Sequence, residues 1–470
     1  MATADDSLDR SSITRRGFIR ASVAATAFAV AACAFPEQTT RPSADPSMSP
    51  PRPTPGGAPS PATTPASPSP TAAPSRPRVL YRDAAITDAR SAELRIGVSV
   101  LVEDDRISWI RPSDDEADPG DRGSLEVVDA AGTTIVPSMV DCHSHVTLPG
   151  GAHWIERVSD PPEVLLAVAE HNAELQLRAG VRWARDVGSP TQTDPVDDRR
   201  RALALGVRDR WAGRRDRPYI RAAGTWLARP GLLGRVAIEA RTADELMAAA
   251  MSQLDDGADL VKLYLQGPDP ATSPWSATEV RRVVDAAHGR GKKVTAHAVE
   301  LAGTRAAVRG GVDSIEHGWQ IDADLARDME ARGTALSATL SPLQSFLGFG
   351  RTTRIERFSS DASMRRNRDS LERARESIRH CRAAGVLICA GTDFGGGSTR
   401  PNHMAWEVGS LVEAGLEPWE ALAAATWHGG ELLGEPGAGL ITEGGPADFF
   451  LVHGDPLSDP GALWRVWRVA

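Results

Sequence analysis

Apolar residues along most of this chain fall into short runs, set apart by longer stretches in which they recur every third or fourth position. Short runs of this kind read as strands and the 3.6-residue recurrence reads as helix. Strand-like runs lie at 134–146, 181–187, 219–226, 259–265, 293–299, 314–319, 335–340 and 386–393. Between most of them lie amphipathic stretches, two of which begin with the capping-box pairs Thr242/Glu245 and Ser276/Glu279. Gly180, Gly257, Gly291 and Gly385 stand between helical patterns and the next strand, where a left-handed helix stop is expected. Eight alternations predict an α/β fold, a (β/α)8 TIM barrel spanning 137–435, with a doubly wound open sheet as the runner-up. The segments 79–136 and 436–470 are β-like. They are expected to pair as a small β-sandwich side domain built from both ends of the folded region.

Composition changes this picture mainly at the N-terminus. The chain has 470 residues, and 53 Lys and Arg stand against 62 Asp and Glu. A net charge of −9 leaves no basic excess to release phosphate counterions, which excludes nucleic-acid binding by bulk charge. A hydrophobic fraction of 41% excludes wholesale disorder. Of 34 prolines, 14 fall between Pro36 and Pro77, so 34–78 is expected to be a disordered Pro/Ser/Thr stalk. Before it, Arg15-Arg16 and Phe18 precede an apolar run, 21–32, that is shorter than the ~20 residues a membrane span needs. That layout resembles a twin-arginine export signal over residues 1–33. Val30-Ala31-Ala32-Cys33 resembles a lipobox with Cys33 as the lipidated residue; plain cleavage beside an incidental cysteine is the alternative. An extracytoplasmic or bacterial cell-surface location follows, with membrane contact only through the N-terminal lipid. The remaining cysteines, 142, 381 and 389, are odd in number and predict core packing rather than a disulfide framework.

Candidate chemistry clusters at the C-terminal ends of the strands, where a barrel of this type places its active site. His143 and His145 are two apart on the first strand and so share a face, a common start for a zinc-type site. His297 ends the fifth strand, His317 the sixth and Asp393 the eighth. Lys262 is the sharpest single signal. The chain has only three lysines, at 262, 292 and 293, and Lys262 interrupts the apolar fourth strand. Arginine stays protonated, whereas a buried lysine can become a neutral nucleophile and take up CO2 as a carbamate able to bridge two metals. An ion pair with Asp259 or Asp393 is the bland alternative.

These residues occur in a recognisable order. The run Pro137 to His145, Arg185-Asp186-Val187-Gly188, Gly257 to Lys262, the two histidine strands and Gly391-Thr392-Asp393 together resemble the metal-dependent amidohydrolase superfamily. The likeness is to the branch that includes imidazolonepropionase-like proteins and binuclear prolidases. It implies two divalent metal ions, zinc the first choice, with His143 and His145 on one and His297 and His317 on the other. Carbamylated Lys262 would bridge them, and Asp393 would be both ligand and catalytic proton carrier. The implied reaction is hydrolysis of an amide or cyclic-amide C–N bond in a dipeptide, N-acyl amino acid or related small molecule. Specificity is nearly silent. Tyr264, Arg185 and Arg229 are candidate substrate contacts, the tyrosine otherwise lining the barrel and the arginines, which could hold a carboxylate, otherwise forming structural ion pairs; Trp226, Trp319 and Trp406 either line a pocket or simply pack. Two rival readings remain: a mononuclear deaminase or imidazolonepropionase-like hydrolase, and a non-catalytic surface-binding lipoprotein. A homo-oligomer is compatible with all three.

Overall fold

The computed structural model describes residues 78–116 and 125–470. The export signal, Cys33 and nearly all of the proline-rich stalk lie outside the described residues. Parallel strands alternate with helices from Met139 onward in two arcs. One arc pairs Met139–Ser144, Val181–Asp186 and Tyr219–Ala222. The other runs Trp226–Ala228, Leu260–Tyr264, Lys293–Ala298, Ser314–His317, Ala335–Ala338 and Ile388–Ala390. Single parallel bridges, Ala223 to Leu260 and Ser144 to Phe394, link the arcs at both seams.

The alternation that builds the site is visible strand by strand. Val261 and Leu263 join the main apolar core under the helices, as do Val294, Ala296 and Ile315. Lys262, Thr295, His297 and Glu316 therefore fall on the opposite, inward face. The helices start and stop where the sequence marks them. Ser276 and Glu279 form a full capping box, Thr242 accepts the Glu245 N–H, and Gly180, Gly257, Gly291 and Gly385 all have positive φ. Gly180 has a second reason to be glycine, since a Cβ there would sit 2.6 Å from the Phe450 ring.

Two strand boundaries differ from the sequence reading. The first run divides at Ser138, whose N–H bonds to the Asp448 carbonyl. Thr133–Pro137 thus lies in a separate sheet and only Met139–Ser144 in the barrel-like one. The third run breaks at Ala223-Gly224-Thr225 into Tyr219–Ala222 and Trp226–Ala228, one piece in each arc. The separate sheet has seven strands and joins both ends of the described chain: Phe449–His453 pairs with Thr133–Pro137, which neighbours Arg78–Ile86. It carries its own small core around Tyr81, Val100, Ile135, Phe449 and Leu451. No helix among the described residues is long and apolar enough to cross a membrane.

Candidate metal centre

Four histidines converge at the C-terminal ends of the strands, and each has one ring nitrogen engaged by the surrounding protein. His143 Nδ1 is 2.6 Å from Glu316 Oε2, and His145 Nδ1 donates to the Gly188 carbonyl at 2.8 Å. His297 Nε2 is 2.7 Å from Gln266 Oε1, and His317 Nδ1 is 2.7 Å from Thr339 Oγ1. Partners of this kind fix ring orientation and leave the other nitrogen as the donor to a cation. The Nε2 atoms of His143 and His145 lie 3.4 and 3.3 Å from Asp393 Oδ1. Their donor atoms and the carboxylate all fall within 4.8 Å of one another. His317 continues the ring, its centroid 4.6 Å from His143 and 4.5 Å from His297.

Backbone geometry explains how adjacent residues can share this space. His317 and Asp393 have φ of 73° and 51°, in the left-handed region, a conformation costing about 1–3 kcal/mol at a non-glycine residue. At His317 it breaks the strand alternation, so that Glu316 and His317 both reach His143. At Asp393 the backbone N–H donates to the His143 carbonyl at 2.8 Å, while the Thr392 hydroxyl donates to Asp141.

The charges suit a cation. Burial pushes His297 and His317 well below the ordinary imidazole range, and neighbouring positive groups add to the effect, so both rings are neutral. Burial also lowers Lys262 to about 8, against the opposing pull of Glu316 and Asp393. Burial acts to raise Asp393, yet the His143 charge and hydrogen bonds from His143 and His145 outweigh it and hold the carboxyl well below its usual range. Lys262 is fully buried and its Nζ has no hydrogen-bond partner. A cradle beside the ring completes the fit. A Cβ at Gly396 would lie 2.9 Å from Asp393 Oδ1 and 3.1 Å from His145 Nε2. Imidazoles with a carboxylate are the donor set of a borderline divalent ion, and such an ion would displace the proton that Asp393 and Glu316 favour on His143 against the effect of burial. Gly396→Ala is therefore expected to weaken metal uptake about 10–100-fold while leaving the circular dichroism spectrum unchanged. A chelator competition would read it, and wild-type affinity would remove Gly396 from the metal space.

The ring rests on a group that sequence reasoning passed over. Glu316 is fully buried, holds His143 with one oxygen, and takes Arg185 Nη2 at 2.5 Å on the other. Thr295 and Ser314 also donate to it. The only signal in the sequence was a carboxylate next to His317 at the end of the short strand Ser314–His317. Arg185 is corrected by the same contacts. Its guanidinium is 3% exposed and all spent, on Glu316, the Cys142 carbonyl at 2.6 Å and Ser314 at 3.0 Å, so it supports the ring and has nothing left for substrate. Arg229 is likewise corrected: it stacks 3.7 Å over Trp275 and donates to Glu279 and to the Pro274 and Arg241 carbonyls. Glu316→Ala should destabilise the apoprotein by about 3–5 kcal/mol, because Arg185 would remain buried without its counter-charge. Urea unfolding tests this, and a loss below about 1 kcal/mol would contradict it.

The remaining candidates divide. Tyr264 lies at the site, stacked on His297 at 4.3 Å with an interplanar angle of 18°. Trp226 packs 4.9 Å from His145, and Trp319 lies 5.9 Å from His317. Trp406 is tied elsewhere, to Gln344. Cys142, Cys381 and Cys389 are buried and unpaired, as core residues should be.

Known proteins carry the same arrangement of chain. The sequence pattern of the amidohydrolase family matches residues 134–468. An uncharacterised protein of Mycobacterium tuberculosis is 32% identical over 337 residues, covering 71% of this chain and 82% of its own. Imidazolonepropionase of Anaeromyxobacter dehalogenans is 27% identical, covering 77% of this chain and 85% of its own. The crystal structure of a putative prolidase from Bifidobacterium longum superposes with a TM-score of 0.70 at 26% identity, over 84% of this chain and 93% of its own. The likeness makes the fold a TIM-barrel-like α/β one.

Proposed function

Because this chain belongs to the amidohydrolase family and is a hydrolase acting on carbon–nitrogen bonds, we propose that it is a binuclear metal enzyme cleaving a small amide. The substrate class is a dipeptide, an N-acyl amino acid or a cyclic amide. The observation that carries the binuclear reading is Lys262, a buried amine without a partner beside four histidines. Its neutral nitrogen would attack CO2, forming one N–C bond and losing one proton, and the resulting carbamate offers two oxygens to two cations. His143, His145 and Asp393 would hold one ion, and His297 and His317 the other. Bound there, the ions would supply Lewis acidity to the scissile carbonyl and acidify the attacking water. Asp393 would accept the water proton and return it to the leaving nitrogen. Tyr264, on the same strand face as Lys262, would border the substrate.

In this reading the two strand arcs form one (β/α)8 barrel over 137–435. The segments 79–136 and 436–470 form the side domain, and residues 1–33 export the chain and tether it through Cys33. A mononuclear enzyme is the second reading, favoured by one observation: among the described residues only His143, His145 and Asp393 group within 4.8 Å. Metal content of the purified chain, produced with bicarbonate, separates the two. About two ions per chain, with amine release from N-acyl amino acids or dipeptides, supports the binuclear reading. About one supports the other. A folded sample that takes up no zinc and releases no amine overturns both.

A further inference from the structure

Three of the four ring histidines are held at Nδ1, by Glu316, the Gly188 carbonyl and Thr339. His297 alone is held at Nε2, by the Gln266 amide oxygen at 2.7 Å. A cation takes the imidazole nitrogen that carries no proton. Three rings would therefore offer Nε2, the nitrogen far from the backbone, whereas His297 would offer Nδ1, the near one. Gln266 stands where it can enforce this difference. Tyr264 and His297 are register partners on adjacent parallel strands, and the Leu265 N–H donates to the His297 carbonyl at 2.9 Å. Gln266 follows directly, half-buried just past the strand Leu260–Tyr264. Tyr264 covers one face of the imidazole, stacked at 4.3 Å, and its hydroxyl donates to the same Gln266 oxygen at 3.4 Å. A face and an edge of His297 are thus both occupied. Turning the ring over would put a C–H where Nε2–H now meets Gln266 and forfeit that hydrogen bond.

We propose that Gln266 is a positioning residue that holds the His297 proton on Nε2 and so leaves Nδ1 to the second cation. It acts through His297 and touches no reacting atom. The inference rests on the binuclear reading, which makes His297 and His317 the holders of that ion. This pair depends on its outer partners more than the other set does. His143 and His145 share Asp393, and His143 also leans on the Glu316 carboxylate. His297 and His317 lean on an amide and a hydroxyl. Outer partners of this kind set ligand orientation and basicity, and losing one costs about 10–100-fold in metal affinity. A carboxylate at position 266 would accept the Nε2–H as the amide does, whereas an aliphatic side chain could not.

Zinc titration of the full chain in bicarbonate buffer tests it, alongside proton NMR of the histidine N–H groups in the metal-free chain. Gln266→Leu keeps most of the side-chain bulk and removes the acceptor. It should bind the first zinc as wild type does and the second about 10–100-fold more weakly. The His297 Nε2–H resonance, identified by its loss in His297→Gln, should vanish in Gln266→Leu, because an imidazole N–H without an acceptor exchanges with water. Gln266→Glu should recover both the resonance and the second zinc. Two zinc ions bound alike by wild type and Gln266→Leu overturn the inference and leave the binuclear reading standing. So does an Nε2–H resonance that persists in Gln266→Leu, or a Gln266→Glu chain that fails to recover the second ion. Equal loss of both ions in Gln266→Leu also overturns it, since the defect would then be a general one. Uptake of a single zinc by the wild-type chain overturns the binuclear reading and the inference with it.

Discussion

Lys262→Ala and Lys262→Arg are each expected to lower amide hydrolysis on the order of a thousandfold, equivalent to ~4 kcal/mol of barrier, and to lower bound metal with it. The Lys262 side chain is wholly buried and its amine has no hydrogen-bond partner. Burial brings its pKa down to about 8, with Glu316 and Asp393 opposing. The amine is therefore mostly protonated at neutral pH but keeps a reactive neutral fraction. The two replacements fail for different reasons. Alanine removes the nucleophile that would become a carbamate, whereas arginine installs a cation that stays protonated where divalent ions should sit. Arginine should thus be the worse variant for metal uptake. The pH dependence has a definite sign. At fixed dissolved CO2, the neutral fraction, and with it reconstitution of the apoprotein, should rise about tenfold per unit below pH 8 and level off above it. Metal per chain, and a carbonyl resonance from 13C-labelled CO2 that vanishes in both variants, are the readouts. Unchanged metal content and rate in Lys262→Ala would reduce Lys262 to a structural residue and favour the mononuclear reading.

What could be read from sequence alone follows a physical line. Lys262 and His297 were legible because a polar residue in a short apolar strand has few places to point, and strand alternation fixes which face it takes; His317 was legible only from its place at a strand's C-terminal end. Features that depend on distant chain were not legible. The break in the third strand rests on Gly224 packing against Gln253, and the break at Ser138 on a hydrogen bond to Asp448. Glu316 was missed because strict alternation turns either residue 316 or residue 317 inward, never both. The left-handed backbone of His317 is what admits the pair. Arg185 and Arg229 were candidate contacts for a substrate carboxylate, with structural ion pairs as the commoner alternative, and sequence could not choose between the two. Their actual acceptors, Glu316 and Glu279, lie 131 and 50 positions away in sequence. A side chain's chemistry can be seen locally; whether that chemistry is already spent cannot.

Asp393→Asn is expected to keep metal, wholly or in part, and to lose about 10²–10⁴-fold in turnover. The residue's position is set by its backbone, not by its charge. Its φ is 51°, its N–H bonds to the His143 carbonyl, and the preceding Thr392 is anchored to Asp141 by both its N–H and its hydroxyl. Asparagine fits the same volume and retains an oxygen 3.3–3.4 Å from the two Nε2 atoms, so the ring has little reason to collapse. What it cannot do is accept a proton and release it to a leaving nitrogen. Because the wild-type carboxyl is held well below its usual range, the base is ionised throughout the neutral region. The rate defect of the variant should accordingly be constant there, with no pH at which the two proteins converge. A protein that only binds its ligand would treat the two residues alike, holding metal and ligand equally with either. Metal analysis alongside steady-state rates from pH 6 to 9 distinguishes these cases: retained metal with lost turnover assigns the proton transfer to Asp393, and wild-type turnover in the variant assigns it elsewhere.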